Sequence, residues 1–266
     1  MSKTSPGPSL SQARLKSLKK LALKKYRDRE GRFIIEGVRL CEEALAAGAE
    51  IETWIYAPSL LTRARGRALL DRIPPRHPAL LRATSAQFKA LTQVASPQGI
   101  ACVVRKREQK ALPSGISGLY LVLDRISDPG NMGTILRTAA WFGVDGVLAG
   151  PGTVENTHPA VMRASAGALF HLPAFENVRL EQWLVQQKER GFILIAADAR
   201  DGTDVRELRS TGRDILVIGS EAGGIDPALE NLMTIKTHIP GFGAGESLNA
   251  AVACAIVLYQ LTHARQ

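Results

Sequence analysis

Cysteine, aromatic residues and long apolar runs are all scarce in this 266-residue sequence. The three cysteines, Cys41, Cys102 and Cys254, are an odd number with no CxxC pair. That excludes a disulfide scaffold and fits small buried thiols in a reducing compartment. The five histidines, His77, His158, His171, His238 and His263, show no paired ligand spacing, so no metal site is expected. The longest apolar run, Ala250 to Tyr259, falls well short of the roughly 18–20 residues that cross a bilayer. The Ser/Lys/Pro-rich N-terminus has no apolar signal region. A cytoplasmic protein without a membrane partner is therefore expected. A hydrophobic content of 45% argues against a wholly disordered chain.

Basic charge is abundant and unevenly placed. Residues 1–110 hold 22 Lys/Arg against 9 Asp/Glu, a net +13, while residues 111–266 hold 12 against 16, a net −4. The first 32 residues alone contribute +8. Such a split implies two units, the first facing a polyanion. The basic segment is either a solvated helix face or a direct RNA contact through Lys19, Lys20, Lys24, Lys25 and Arg32.

Residues 1–12 read as a flexible tail, and 13–107 as a small α/β unit that opens with an amphipathic basic helix over 13–29, apolar at Leu15, Leu18, Leu21 and Ala22 with Tyr26 as a further candidate. Strands are expected at 32–37, 52–57, 80–83 and 100–104, and helices at 38–47 and 60–70. Residues 108–118, with Pro113, Gly115 and Gly118, read as a linker. In 119–266, strands at 119–123, 144–149, 168–172, 192–197, 215–218 and 233–239 alternate with helices at 131–142, 159–165, 180–189, 226–232 and 247–263. Apolar strands alternating with helices predict an α/β fold on a mostly parallel sheet.

Ligands in such sheets bind beyond the strands' carboxyl ends, and three loops there carry residues without an obvious packing reason. In Asp124–Arg137, Asn131 sits at a helix start, where it either caps the helix or binds a ligand. Arg137 stands on an otherwise apolar helix, either in a surface ion pair or as a guanidinium aimed at a phosphate or a reacting oxygen. Gly219-Ser220-Glu221-Ala222-Gly223-Gly224 has glycines for close backbone approach, but Glu221 opposes phosphate and no P-loop lysine is present. It is either an ordinary turn or a seat for an adenosine, amino-acid or cationic ligand. In Ile239–Asn249, Ser247 is a plausible N-cap and Asn249 has a free amide. The helix behind is apolar on every face, which predicts burial in a core or a subunit interface.

Together these loops resemble the signature motifs of the SpoU (TrmH-like) RNA ribose 2′-O-methyltransferases. The first is Asn131-x-Gly133-x-x-x-Arg137, the second Gly219-x-Glu221-x-x-Gly224, and the third Ile239-Pro240 followed by Gly245-Glu246-Ser247-Leu248-Asn249. Arg163-Ala164-Ser165-Ala166-Gly167-Ala168 resembles a family segment between the first two, with Arg163 and Ser165 as RNA contacts. Phe33-Ile34-Ile35-Glu36-Gly37 is similar to the start of the ribosomal-protein-like substrate-binding domain that many members carry.

The resemblance implies a trefoil-knotted catalytic domain, S-adenosylmethionine as cofactor, and a homodimer with the closing helix at its interface. It assigns Gly219, Ile239, Pro240 and Leu248 to the cofactor, with Ala197 lining the adenosyl pocket. It assigns Asn131, Arg137, Glu221, Ser247 and Asn249 to catalysis. Gly241 replaces a frequent Met, and Ala250-Ala251 a common Val-Ser pair; both keep the backbone path open. The expected activity is 2′-O-methylation of large-subunit ribosomal RNA. The alternatives are a tRNA substrate, or a non-catalytic RNA-binding or ribosome-assembly protein that retains the fold.

Overall fold

A computed structural model describes residues 7–73, 80–92, 94–107, 111–115, 117–198, 201–244 and 247–263. The chain divides into two compact units, Met1–Glu108 and Gln109–Gln266.

The first unit is a four-stranded sheet with helices. Its strands are β1 (Arg32–Glu36), β2 (Ile51–Tyr56), β3 (Leu80–Arg82) and β4 (Ile100–Arg105), in the order β1-β4-β2-β3. β4 runs antiparallel to both neighbours, and β2 and β3 are parallel. The helices are α1 (Gln12–Lys19), α2 (Lys24–Glu30), α3 (Val38–Ala46), α4 (Ala64–Arg72) and α5 (Ser85–Leu91).

Two expectations for this unit need correction. Of the tail assigned to residues 1–12, the first six lie outside the described residues, and the rest is ordered structure. Ser9 bridges Arg82, the Leu10 amide donates to the Arg82 carbonyl at 2.8 Å, and Leu10 is buried. The basic helix is also not continuous. A 3-10 turn at Lys20–Ala22 and an extended Leu23 (φ −100°, ψ 132°) split it in two. Buried Arg27 donates to the Leu21 and Ala22 carbonyls at 2.7 and 2.8 Å, supplying partners for backbone groups that the interrupted helix leaves unpaired. Leu10, Leu15, Leu18 and Leu21 pack with Ile55, Phe88 and Val103. The basic segment is therefore part of the unit's core.

The second unit holds seven strands in the order β7-β6-β5-β10-β8-β11-β9, with every pairing parallel: β5 (Gly118–Leu123), β6 (Gly146–Ala149), β7 (Ala174–Phe175), β8 (Ile193–Asp198), β9 (Thr203–Asp204), β10 (Arg213–Ile218) and β11 (Ile235–His238). α6 (Pro129–Trp141), α7 (Pro159–Ala164), α8 (Leu180–Glu189), α9 (Pro227–Glu230) and α10 (Ala250–His263) accompany it. β5 shows why its strand is apolar throughout. Leu119, Leu121 and Leu123 pack with α6 and α10, while Tyr120 and Val122 pack with Trp183 and Leu184 of α8. Both faces are covered, as successive side chains on a strand point to opposite sides.

The strand expected at 168–172 is a 3-10 turn (Ala168–Phe170). Ala166 and Gly167 take positive φ values of 51° and 93°, which coil the chain into short-range bonds and delay the strand to Ala174. The closing helix, expected to be buried all round, buries Ala250, Ala251, Cys254, Val257, Leu258 and Leu261 but exposes Val252 and Tyr259. No helix among the described residues is long and apolar enough to cross a membrane.

Candidate active site

The three loops leave the C-terminal ends of β5, β10 and β11, where an open parallel sheet offers its crevice. Their local chemistry differs from the sequence reading in two places. Asn131 does not cap α6. Asp128 does, accepting from the Asn131 amide at 2.7 Å, with Pro129 following in the first turn. Ser247 does not begin α10 either; Asn249 stands just before it, its Oδ1 accepting from the Ala251 and Val252 amides at 2.9 and 3.4 Å.

Both shifts leave amide groups free to join the loops. Asn131 Nδ2 donates to Glu221 Oε1, and Asn131 Oδ1 accepts from Asn249 Nδ2 at 2.9 Å. One side chain thus ties the first motif to the second and to the third, across sequence separations of 90 and 118 residues. An amide suits this position because it can donate and accept at once.

The second loop depends on a close backbone approach. Ser220 and Gly224 exchange two backbone hydrogen bonds at 2.9 and 3.0 Å. A Cβ on Gly219 would lie 2.2 Å from the Gly224 carbonyl carbon, so only glycine fits there. Asp124, at the end of β5 and buried, accepts from the Asp226 amide at 2.8 Å and from the Arg125 guanidinium at 3.0 Å. It fixes the far side of the same loop. Sequence reasoning missed Asp124 and Asp128. The Asp128-Pro129 pair carried a legible cap signal, whereas Asp124 acts through a tertiary bond that no spacing reveals.

Arg137 lies on the exposed face of α6 and has neither ion pair nor hydrogen bond among the described residues. The surface salt bridge weighed for it is absent there, and the guanidinium is free to meet an anion. Glu221, Ser247 and Asn249 are exposed. Ala197, Gly219, Ile239 and Pro240 are half-buried at the ends of the neighbouring strands β8, β10 and β11, and Leu248 is 48% exposed. Apolar side chains, open backbone and the Glu221 carboxylate along one sheet edge suit a ligand that is apolar in one part and cationic in another. The third motif's Gly245 and Glu246 lie outside the described residues.

Three of the RNA assignments read differently in the structure. Ser165 is buried, and its hydroxyl donates to the Met162 carbonyl at 3.1 Å. Gly133 makes this possible: a Cβ there would come 2.4 Å from the Ala164 Cβ and 2.9 Å from the Ser165 amide, so α6 and α7 touch at backbone distance. Arg32 is largely covered and paired with Glu30 at 2.7 Å and Glu52 at 3.2 Å, and the Glu30 carboxylate holds its pKa above the ordinary guanidinium value. Lys24 is tied to Asp28. Lys19, Lys20, Lys25 and Arg163 are exposed.

A parallel sheet with three joined loops at its carboxyl edge, preceded in the chain by a small basic α/β unit, defines a ligand-binding α/β enzyme class with a separate module. The chain belongs to the SpoU rRNA Methylase family: that family's model matches residues 118–259, and a model of the MRM3-like substrate binding domain matches residues 12–102. It is 31% identical to the 23S rRNA (guanosine(2553)-2′-O)-methyltransferase RlmP of Bacillus subtilis, over 95% of this chain and 97% of that protein. It is 30% identical to the uncharacterized tRNA/rRNA methyltransferase slr1673 of Synechocystis, over 92% and 89% of the two chains. Among solved structures, an RNA 2′-O ribose methyltransferase superposes with a TM-score of 0.84 at 28% identity, covering 98% of this chain and 99% of that one. The SpoU methyltransferase AviRb of Streptomyces viridochromogenes, in complex with AdoMet, superposes with a TM-score of 0.83 at 26% identity, covering 96% and 98%.

Proposed function

We propose that this chain is an S-adenosylmethionine-dependent RNA ribose 2′-O-methyltransferase acting on large-subunit ribosomal RNA. The observation that carries the reading is the Asn131 amide bridging Glu221 and Asn249, which gathers all three motif loops at one sheet edge. The 23S rRNA specificity in the name of the Bacillus relative, which spans nearly the whole chain, supports the substrate class.

When bound, the cofactor supplies a methyl group activated by a sulfonium. Gly219, Ile239, Pro240 and Leu248 hold it, with Ala197 beside the adenosyl part, and the Glu221 carboxylate favours its positive charge. The remaining work of the chain is alignment and electrostatics. Arg137 clamps the ribose and its flanking phosphate and lowers the cost of the developing 2′-alkoxide. It acts as a cation and not as the base, because a guanidinium keeps its proton; the proton of the 2′-hydroxyl leaves to solvent water as the oxygen is methylated. Asn131 and Ser247 orient the target nucleotide, and Asn249 holds Asn131 in place. Arg163 and the exposed lysines of the first unit meet RNA phosphates.

The domain is read as knotted in the manner of its family, and the protein as a cytoplasmic homodimer. Exposed Val252 and Tyr259 on α10, and Trp141 at 85% exposure on α6, supply an apolar face for a second copy. The test is Arg137→Ala, measured by calorimetry with S-adenosylmethionine and by methyl transfer to ribosomal RNA. Intact cofactor binding with lost transfer is expected. Transfer near the wild-type rate overturns the role of Arg137, and absence of cofactor binding by the wild-type chain overturns the enzyme reading. Mapping 2′-O-methylation across cellular RNAs, with and without the protein, decides between ribosomal RNA and tRNA.

A further inference from the structure

The first unit carries an aromatic ring surrounded by cations. Tyr26 on α2 has the Lys25 ammonium 5.1 Å from its ring centroid, the Lys20 ammonium at 5.5 Å and the Arg29 guanidinium at 4.7 Å. Three cations converging on one ring repel each other, and the ring quadrupole offsets only part of that cost. Their partners differ. Arg29 is held by Glu30 at 3.2 Å, whereas Lys20 and Lys25 have no carboxylate partner among the described residues. Nearby Asp28 is taken by Lys24 and Lys106. Both lysines are exposed, and Tyr26 is half-buried, so one edge of the cluster faces solvent.

The break in the basic segment creates this arrangement. In an uninterrupted helix, residues six apart such as Lys20 and Tyr26 do not share a face. The 3-10 turn and the extended Leu23 bring Lys20 back over the ring, and Arg27 holds the turn from inside.

We propose that Tyr26, Lys20, Lys25 and Arg29 form a docking point for one unpaired RNA nucleotide. The two unpaired ammonium groups move onto the phosphates that flank it, and the base takes their place against the phenol ring. Arg29 stays beside the ring, anchored by Glu30. Duplex RNA is a poor fit, because its bases are stacked within the helix and only its phosphates and 2′-hydroxyls reach a flat basic surface. The inference rests on the RNA-substrate reading above and adds a strand preference to it.

The test uses the full chain, with fluorescence anisotropy on a short single-stranded RNA and on a duplex of the same length. Tyr26→Ala is expected to weaken single-strand binding about tenfold, in line with base–aromatic stacking, and to leave duplex binding within about twofold. Tyr26→Phe keeps wild-type affinity. Tyr26→Leu keeps an apolar side chain on the half-buried site but has no π face; it behaves as Tyr26→Ala in binding, which separates stacking from packing should the alanine variant unfold. Lys20→Ala with Lys25→Ala lowers the salt slope of single-strand binding by about 1.4, from about 0.7 per phosphate. Equal losses on both RNAs for Tyr26→Leu, or no loss on either, overturn the proposal. Failure of the wild-type chain to bind either RNA instead overturns the RNA-substrate reading beneath it.

Discussion

Replacing Asn131 by Asp changes one NH2 group to an oxygen, with almost no change in shape. In the native chain Asn131 donates to Glu221 and accepts from Asn249 at 2.9 Å. The substituted side chain could still accept from Asn249, but it would present a second carboxylate to Glu221. The substitution removes a hydrogen bond to a charged acceptor, worth about 1.5–3 kcal/mol when well shielded. It adds a like-charge contact worth about 1–4 kcal/mol at 4 Å between water and protein-surface dielectric. Glu221 is exposed, so the lower end of each range applies, and solvent screening reduces their sum of about 2.5 kcal/mol to an expected net loss of about 2 kcal/mol. For a domain of this size that lowers Tm by roughly 4–8 °C. Cofactor affinity falls as well, because the first and second loops part. Adding Glu221→Gln to Asn131→Asp supplies a new NH2 donor to the new carboxylate and removes the repulsion. A double-mutant cycle followed by thermal unfolding should therefore show the double variant more stable than Asn131→Asp alone, with a coupling of about 1–2 kcal/mol. Additive losses, or an Asn131→Asp variant as stable as wild type, would refute the claim that this bridge holds the loops together.

Gly133→Ala places a methyl 2.4 Å from the Ala164 Cβ and pries α6 from α7, so a loss of about 2–3 kcal/mol is expected in denaturant unfolding; a loss below about 0.5 kcal/mol would show that the contact yields easily. Asp214 is fully buried and accepts from the Ser210 and Thr211 hydroxyls at 2.6 and 2.8 Å and from the Thr211 and Gly212 amides. Asp214→Ala strands those donors, and about 3–4 kcal/mol of stability should be lost, again read from denaturant unfolding; wild-type stability would contradict the assigned bonding. Burial pushes the Cys254 thiol up to about 12, since a low-dielectric site disfavours the charged form, and Cys41 and Cys102 are buried too. The Cys254 thiolate is therefore scarce through pH 9, and because all three thiols are buried a maleimide should label no cysteine in the native chain and all three in denaturant; rapid native labelling would place a thiol at the surface.

Deletion of the basic N-terminal segment would be a poor way to test RNA binding. Leu10, Leu15, Leu18 and Leu21 belong to the first unit's core, so the deletion would remove packing together with charge. Single Lys→Ala changes at exposed positions leave that core intact and separate charge from folding.

The sequence alone determined the two-unit charge division, the alternation of strands and helices in the second unit, and the three motif loops at strand ends. These are local or periodic signals, since a strand covered on both faces must be apolar throughout and a chain reversal needs glycine. Only the tertiary structure decided which polar residue does what. Asn131 and Ser247 both looked like caps by position, but Asp128 and Asn249 fill those roles. Ser165 looked like a surface contact and is buried behind Gly133, and Arg32 looked like a free cation and is paired with Glu30 and Glu52. The capping bonds and the Ser165 bond are local, and several side chains nearby could have made them; what selects among the candidates is the long-range packing, which buries Ser165 behind Gly133, sets Arg32 against Glu52 and ties Asn131 to Glu221 and Asn249 across 90 and 118 residues. Tyr26 makes the same point on the surface, because the turn at Lys20–Ala22 that gathers cations around it is held by a buried arginine that no charge count distinguishes from its exposed neighbours.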